Sequence, residues 1–139
     1  MRISMIGAGR VAYHLALVLS AHHEIVQIYS RTLEKAQYLA EQFNAQAIAQ
    51  PQQLDHEVDL VIIAVSDQSI ASVIERIHPH LQQNLIVHTS GSTHLDLLKN
   101  VHARAGVSVA ARAQLEVERA VHLVLLRPIN FCKALGHLN

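Results

Sequence analysis

The sequence predicts an α/β fold: a doubly wound, mostly parallel sheet with helices on both faces. Three observations carry this expectation. Strand-like apolar runs alternate with helical periodicity from residue 2 onward, the order that builds parallel βαβ units with right-handed crossovers. The run Asp59-Leu-Val-Ile-Ile-Ala-Val65 is apolar on both faces, as a strand between two helical layers must be. Between the first strand and the first helix stands GAGRVA, which puts the small residues Gly7, Gly9 and Ala12 at G-x-G-x-x-G/A spacing.

The elements follow in order. Arg2 to Ile6 reads as a short buried strand ended by Gly7. From Val11 the pattern turns helical, with Val11, Leu15, Val18 and Leu19 on one face and His22-His23 at its close. Ile25 to Tyr29 is a second strand, and Ser30-Arg31-Thr32 the turn after it. Leu33, Ala36, Ala40 and Phe43 line a second helix, with Glu34 in the first turn, where the helix dipole favours an acid. A third strand is expected at Ala45 to Ile48, and Pro51 opens a connection or short helix. Beyond the Asp59–Val65 strand, Ser66 and Asp67 introduce a helix carrying Ile70, Val73, Ile74 and Ile77 and stopped by Pro79. Leu85 to His88 is a further strand, followed by Thr89-Ser-Gly-Ser92 and a helix with Leu95, Leu98 and Val101.

Composition narrows the function. The chain of 139 residues suffices for a real core, and with 50% apolar and 16% charged residues it is not a disordered sequence. Eleven basic residues balance eleven acidic ones, so no net field recruits nucleic acid or an anionic membrane. The single Cys132 cannot form an internal disulfide. No secretory signal is expected, because the N-terminus leads directly into a strand, and no apolar run reaches the roughly 18 residues of a membrane span. A soluble cytoplasmic protein is expected.

The glycine run has a chemical reading in this context. Gly7 permits a tight turn, Gly9 lets backbone approach a pyrophosphate, and Ala12 lets the helix pack closely on the strand. The helix N-terminus would offer N–H groups to the phosphates. A tight turn without any ligand is the alternative. About 20 residues beyond Gly9, where an NAD-binding unit places an acid for the ribose 2′-hydroxyl, this chain has Ser30-Arg31-Thr32. Arg31 can pair with a 2′-phosphate and the two hydroxyls can donate to it, so NADP is expected over NAD. The missing acid also disfavours S-adenosylmethionine. The alternative is a capping Ser or Thr beside a solvated Arg.

The ends of the later strands offer Ser66 and Asp67 for the nicotinamide side, with Asp67 equally suited to be a helix N-cap. His88, Thr89 and Ser90 are candidates to face nicotinamide or substrate, against a plain strand-end turn capped by Ser92. Eleven scattered histidines form neither H-x-x-x-H nor a cluster with cysteine, and no metal is expected.

MIGAGRVAYHLA, HEIVQIYSRTLEKAQYLAE, DLVIIAVSDQSIASV and LIVHTSGSTHLDLLK, in this order, resemble a bacterial family of Rossmann-like NAD(P)-binding oxidoreductases. Catalogued as a domain of unknown function, the family carries a helical C-terminal domain. Its N-terminal half is similar to that of pyrroline-5-carboxylate reductase and the β-hydroxyacid dehydrogenases. The resemblance spans about Met1 to Val107, with VHTSGS its most distinctive piece. It implies an NADP-dependent reductase or dehydrogenase. It also implies that Gly7, Ala8, Gly9, Arg10 and Val11 belong to the phosphate turn and Ser30, Arg31 and Thr32 to the 2′-phosphate pocket. Val65, Ser66, Ser90 and Gly91 would then lie along the nicotinamide half.

Past Gly106 the likeness stops. Residues 1–106 are expected to form the dinucleotide-binding domain, and residues 107–139 an atypical helical tail around Val117, Val121, Val124 and Leu125. A truncated product, frameshifted near Val107, is the expectation. The tail offers only Arg119, His122 and Lys133 as proton donors, at no motif spacing, so no catalytic residue is named. Two readings follow: an NADP-dependent oxidoreductase moving hydride to or from a small carbonyl, imine or hydroxyl substrate, and a dinucleotide-binding module without turnover. The tail's apolar surface predicts a homo-oligomer.

Overall fold

The structure, a computed structural model, describes residues 1–82 and 84–89 and the backbone of Cys132–Lys133. Its centre is β1 (Arg2–Ile6), where Ile3, Met5 and Ile6 are wholly buried. The chain then runs through α1 (Arg10–Leu19), β2 (Glu24–Tyr29), α2 (Leu33–Phe43) and β3 (Gln46–Ile48). A 3₁₀ turn at Pro51–Gln53 leads to β4 (Leu60–Ile63), α3 (Asp67–Ile77), a second 3₁₀ turn at His78–His80 and β5 (Leu85–His88). Cys132–Lys133 adds β6.

The sheet order is β3-β2-β1-β4-β5-β6. The first five strands pair in parallel, and β6 runs antiparallel along β5, Val87 opposite Lys133 and His88 opposite Cys132. This is the doubly wound order, in which the chain starts in the middle, winds outward, then returns to wind the other way. Helices cover both faces accordingly. Ala12, Leu15, Ala16 and Leu19 of α1 and Ala36, Leu39 and Ala40 of α2 pack with Ile3, Met5, Leu60 and Ile62. On the opposite face Ile70, Val73, Ile74 and Ile77 of α3 pack with Ile6, Tyr29, Ile48, Val61 and Ile63.

One irregularity shapes β2. Ile3 lies opposite Ile25 but Ser4 opposite Gln27, so the register slips at Val26. The slip reverses the side-chain alternation: Ile25 and Ile28 both join the α1/α2 cluster, while Tyr29 joins the α3 cluster. Gln27 is thereby buried, and its amide is fully used. Nε2 donates to the Gln53 carbonyl (2.8 Å) and to Gln46 Oε1 (3.1 Å). Oε1 accepts from the Asp55 N–H (2.8 Å) and the Ser4 hydroxyl (3.4 Å). This one side chain ties the Pro51–Gln53 connection to the sheet.

The predicted strands and helices form, with corrections at their margins. α1 starts at Arg10 and stops at Leu19 rather than running to His22-His23, because the Ser20 hydroxyl donates back to the Leu17 carbonyl (3.0 Å) and the next N–H groups turn back too. Its buried stripe includes Ala12 and Ala16, whereas Val11 and Val18 are half-buried. In α2 the core position belongs to Leu39, and Leu33 is exposed at the helix entry. Asn44 ends α2 in the left-handed conformation (φ 52°), which delays β3 to Gln46. β4 is trimmed to Leu60–Ile63 because Asp59 turns its carboxylate to the Arg2 N–H (2.7 Å). The helix expected around Val117 to Leu125 lies outside the described residues, and the two tail residues that are described, Cys132–Lys133, pair as a strand with β5. The other elements expected beyond Thr89, and the boundary at residue 106, lie outside the described residues.

Two predictions follow. The Asp55 carboxyl is held below its ordinary value of 3.8, chiefly by the Glu57 N–H (2.8 Å), with the Arg2 guanidinium (2.9 Å) adding to this and burial opposing it. The native state thus favours the ionised form, and its contribution is present above the ordinary value and lost as pH falls through the native one. Asp55→Asn should lower stability by about 1 kcal/mol at neutral pH, and urea titrations should show the gap to wild type closing in acid. At the end of β1, Gly7 has φ +118°, and a methyl there would collide with the Ala64 carbonyl. Gly7→Ala should therefore lower stability by about 3 kcal/mol or more, read as a large drop in Tm.

Candidate functional site

Three strand ends meet to form a cleft. At the first, Gly7 donates its N–H to the Tyr29 carbonyl (2.8 Å) and its Cα lies against Ala64. The β1–α1 turn is thus held between β2 and β4. Gly9 then sits at the N-cap of α1 in an extended conformation, and as glycine it supplies no capping oxygen. A Cβ at Gly9 would meet nothing within 4 Å. The opening N–H groups of α1 therefore face open space, the setting that suits a phosphate group.

At the end of β2, Ser30 is fixed by two bonds: its N–H to the Ile48 carbonyl (3.1 Å), and its hydroxyl accepting from the Thr32 N–H (3.2 Å). Thr32 occupies the N-cap of α2 without a side-chain capping bond, so its hydroxyl is not consumed by the helix. Arg31 and Lys35 are exposed beside it. At the end of β4 the Ala64 N–H continues the ladder to the Ile6 carbonyl (2.8 Å). Ser66 then caps α3 by position, with its hydroxyl 2.9 Å from that of Ser69.

These segments enclose a cleft of about 500 Å³. Eight of the twelve expected binding residues line it: Gly7, Ala8, Gly9, Ser30, Arg31, Thr32, Val65 and Ser66. Arg10 and Val11 do not. Arg10 projects outward as the first residue of α1, and Val11 is half-buried against the core. Ser90 and Gly91 lie outside the described residues. The lining also includes Lys35 and Ser69, which the motif reading did not name. No motif marks either one: Lys35 lies in the first turn of α2 and Ser69 in the first turn of α3, and both reach the cleft through the placement of their helices. None of the described lining residues is acidic.

Three other candidates change role. Asp67 is the first residue of α3, not its N-cap, which is Ser66. His88 is completely buried at the end of β5 and does not face the cleft. Burial pushes its imidazole below the ordinary value, and the Asp67 carboxylate partly opposes this. Thr89 is engaged through its N–H with the Ile63 carbonyl (3.1 Å). No metal-binding group of three or more histidine, cysteine or carboxylate side chains occurs among the described residues. A second hollow of about 710 Å³ opens at the other end of the sheet, among Met1, Arg2, His22, His23, Glu24 and Asp59. Its charges are mixed, and ligands of such sheets bind outside the carboxyl ends of the strands, so the cleft at the glycine turn is the candidate.

Comparison with known proteins agrees with this geometry. Residues 2–92 match the family described as NADP oxidoreductase, coenzyme F420-dependent. Among solved structures, the chain is 32% identical to a Bacteroides fragilis protein assigned as an NADP oxidoreductase, with a TM-score of 0.68, covering 70% of this chain and 39% of that one. A Desulfitobacterium hafniense protein assigned as an NADPH-dependent oxidoreductase is 26% identical with a TM-score of 0.62, over 78% of this chain and 33% of that one. Biliverdin reductase from Synechocystis, solved with biliverdin and NADP+, shares the fold at 21% identity and a TM-score of 0.59, over 75% of this chain and 34% of its own. The chain thus spans between 33% and 39% of the length of these structures. No curated protein matches it. The chain belongs to the family described as NADP oxidoreductase, coenzyme F420-dependent, and has a Rossmann-like fold.

Proposed function

We propose that the chain supplies the dinucleotide-binding part of an oxidoreductase that moves hydride between NADP(H) and a small carbonyl, imine or hydroxyl substrate. The observation that carries this reading is one continuous cleft joining an uncapped glycine turn to two cations, with no acid among the described residues of its lining. The residues fit the cofactor. Open space at Gly9 admits the pyrophosphate against the start of α1, and Arg31, Lys35, Ser30 and Thr32 suit a 2′-phosphate that an acid would repel. Bound NADP(H) supplies the hydride chemistry, and the protein's part is to position it.

A second reading has its own support. Among the described lining residues the titratable side chains are Tyr29, Arg31 and Lys35, all toward the end of β2, and these include no carboxylate or imidazole to act as an acid–base pair on substrate. The chain would then bind the dinucleotide without turning it over. As for partners, we place the protein in the cytoplasm as a homo-oligomer that acts on a small molecule and engages neither nucleic acid nor membrane. The even charge balance supports this, as does the lack, among the described residues, of a helix long and apolar enough to cross a membrane.

Cofactor selection should rest on the cations. Arg31→Ala should weaken NADPH binding by about 1.5–3 kcal/mol, the scale of a hydrogen bond to a charged group, and Lys35→Ala by a smaller step, with NADH little changed. Equal weakening of both cofactors would refute the assignment. Turnover separates the two readings. Steady NADPH oxidation with a keto acid, an imine or coenzyme F420, abolished in Gly9→Val while melting stays near wild type, supports the oxidoreductase. Saturable NADPH binding without oxidation across that panel supports the binding module.

A further inference from the structure

The two sides of the sheet are protected in different ways. β3 ends one side; it is three residues long with Gln46 exposed, a short polar edge of the kind that resists pairing. On the other side stands β5, Leu-Ile-Val-His, with neither a formal charge nor a proline. Its Ile86 packs in the α3 cluster and its Val87 in the α1/α2 cluster, and Ile86, Val87 and His88 are all buried. Both faces are covered, so only the backbone edge is left to be satisfied.

Register shows which groups lie on that edge. The Leu85 N–H donates to the Asp59 carbonyl (3.0 Å) and the Thr89 N–H to the Ile63 carbonyl (3.1 Å). Alternate residues of a parallel strand bond to the same neighbour, so Ile86 and His88 turn their N–H and C=O groups outward. Cys132 stands opposite His88 and Lys133 opposite Val87, antiparallel. His88 and Cys132 are thus the pair that exchanges two backbone hydrogen bonds, while the backbone groups of Lys133 point away from β5. The edge that results is two residues long and includes a lysine, a combination that discourages further pairing.

A second β5 meets the same requirement. Two copies of Leu85–His88, laid antiparallel about a two-fold axis at Val87, set Ile86 of each against His88 of the other. Those are the outward-facing residues, so all of their backbone groups find partners, and Val87 of one copy takes the place that Lys133 holds in cis. An interface of this kind is self-complementary, as a two-fold dimer requires.

We infer that the outer edge of β5 is a pairing surface for a second copy of this chain, and that Cys132–Lys133 guards it in cis. The two occupants compete for the His88 backbone, so removal of one admits the other. The inference is independent of the NADP reading, since the described lining of the cleft takes nothing from β5.

Amide exchange and sedimentation velocity, each over a range of protein concentration, test it. In wild type the His88 N–H should be protected, and exchange as fast as that of an unpaired amide would overturn the guard. Cys132→Pro removes the N–H that the His88 carbonyl accepts. In dilute solution its His88 N–H should exchange about threefold to tenfold faster than in wild type, the worth of one hydrogen bond. At higher concentration this variant should dimerise more tightly than wild type, and protection at Ile86 and His88 should return as the dimer forms. Lys133→Pro loses an N–H that points outward, where proline is tolerated, and Cys132→Ala keeps the backbone, so both should behave as wild type. Unchanged exchange in Cys132→Pro would sink the inference, as would faster exchange without dimerisation. Association that leaves Ile86 and His88 unprotected, or an equal effect in Lys133→Pro, would do the same.

Discussion

The approach of Gly7 to the Ala64 carbonyl is the contact on which the site depends. Parallel strands diverge from one another as a sheet twists, and a side chain at the end of β1 would hold β4 away. Gly7 lacks one, takes a positive φ of 118°, and donates its N–H to Tyr29 on the other neighbour. Three strand ends are thereby drawn together at one point. The turn that leaves this point must rise directly into α1, and that places Gly9 and the uncapped helix start at the cleft floor. The two glycines of the motif have different work: Gly7 closes the protein on itself, and Gly9 keeps space open.

Packing holds this arrangement from both faces. The face under α1 and α2 uses small residues (Ala12, Ala16, Ala36 and Ala40), which bring those helices close to the sheet. The face under α3 is filled by large branched side chains: Ile6, Ile48, Ile63, Ile70, Ile74 and Ile77. The slip at Val26 mediates between the two. It buries Gln27, and the four hydrogen bonds of that amide leave no polar group of the side chain unsatisfied. The segment between β3 and β4, which has no long element of its own, is anchored through that side chain and the Arg2–Asp55 pair.

Strand and helix identity was legible because each signal was local and strong. β4 and the four isoleucine and valine positions of α3 needed only periodicity, and all four are buried as expected. Helix ends were less legible. The close of α1 is set by one serine hydroxyl returning to Leu17, and that of α2 by Asn44 entering the left-handed region, choices that an apolar pattern does not record. The site divides in the same way. The glycine turn and Ser30-Arg31-Thr32 were readable because backbone geometry fixes where such residues must stand. Lys35 and Ser69 were not, because they reach the cleft only once α2 and α3 have been placed over the sheet. His88 was left open between facing a ligand and belonging to a plain strand end, and its complete burial at the end of β5 depends on packing that the sequence pattern does not record.

The distribution of binding groups bears on how such a protein divides its labour. Every charged or hydroxyl group in the described cleft sits toward the end of β2, in the first turn of α2 or at the start of α3. Interactions with a part of the cofactor that does not react contribute affinity and orientation equally in ground and transition states. On the proposed reading such interactions orient the dinucleotide and do not themselves lower the barrier to hydride transfer. This accounts for the match of residues 2–92 to an oxidoreductase family while the chain covers only 39% of its Bacteroides fragilis relative.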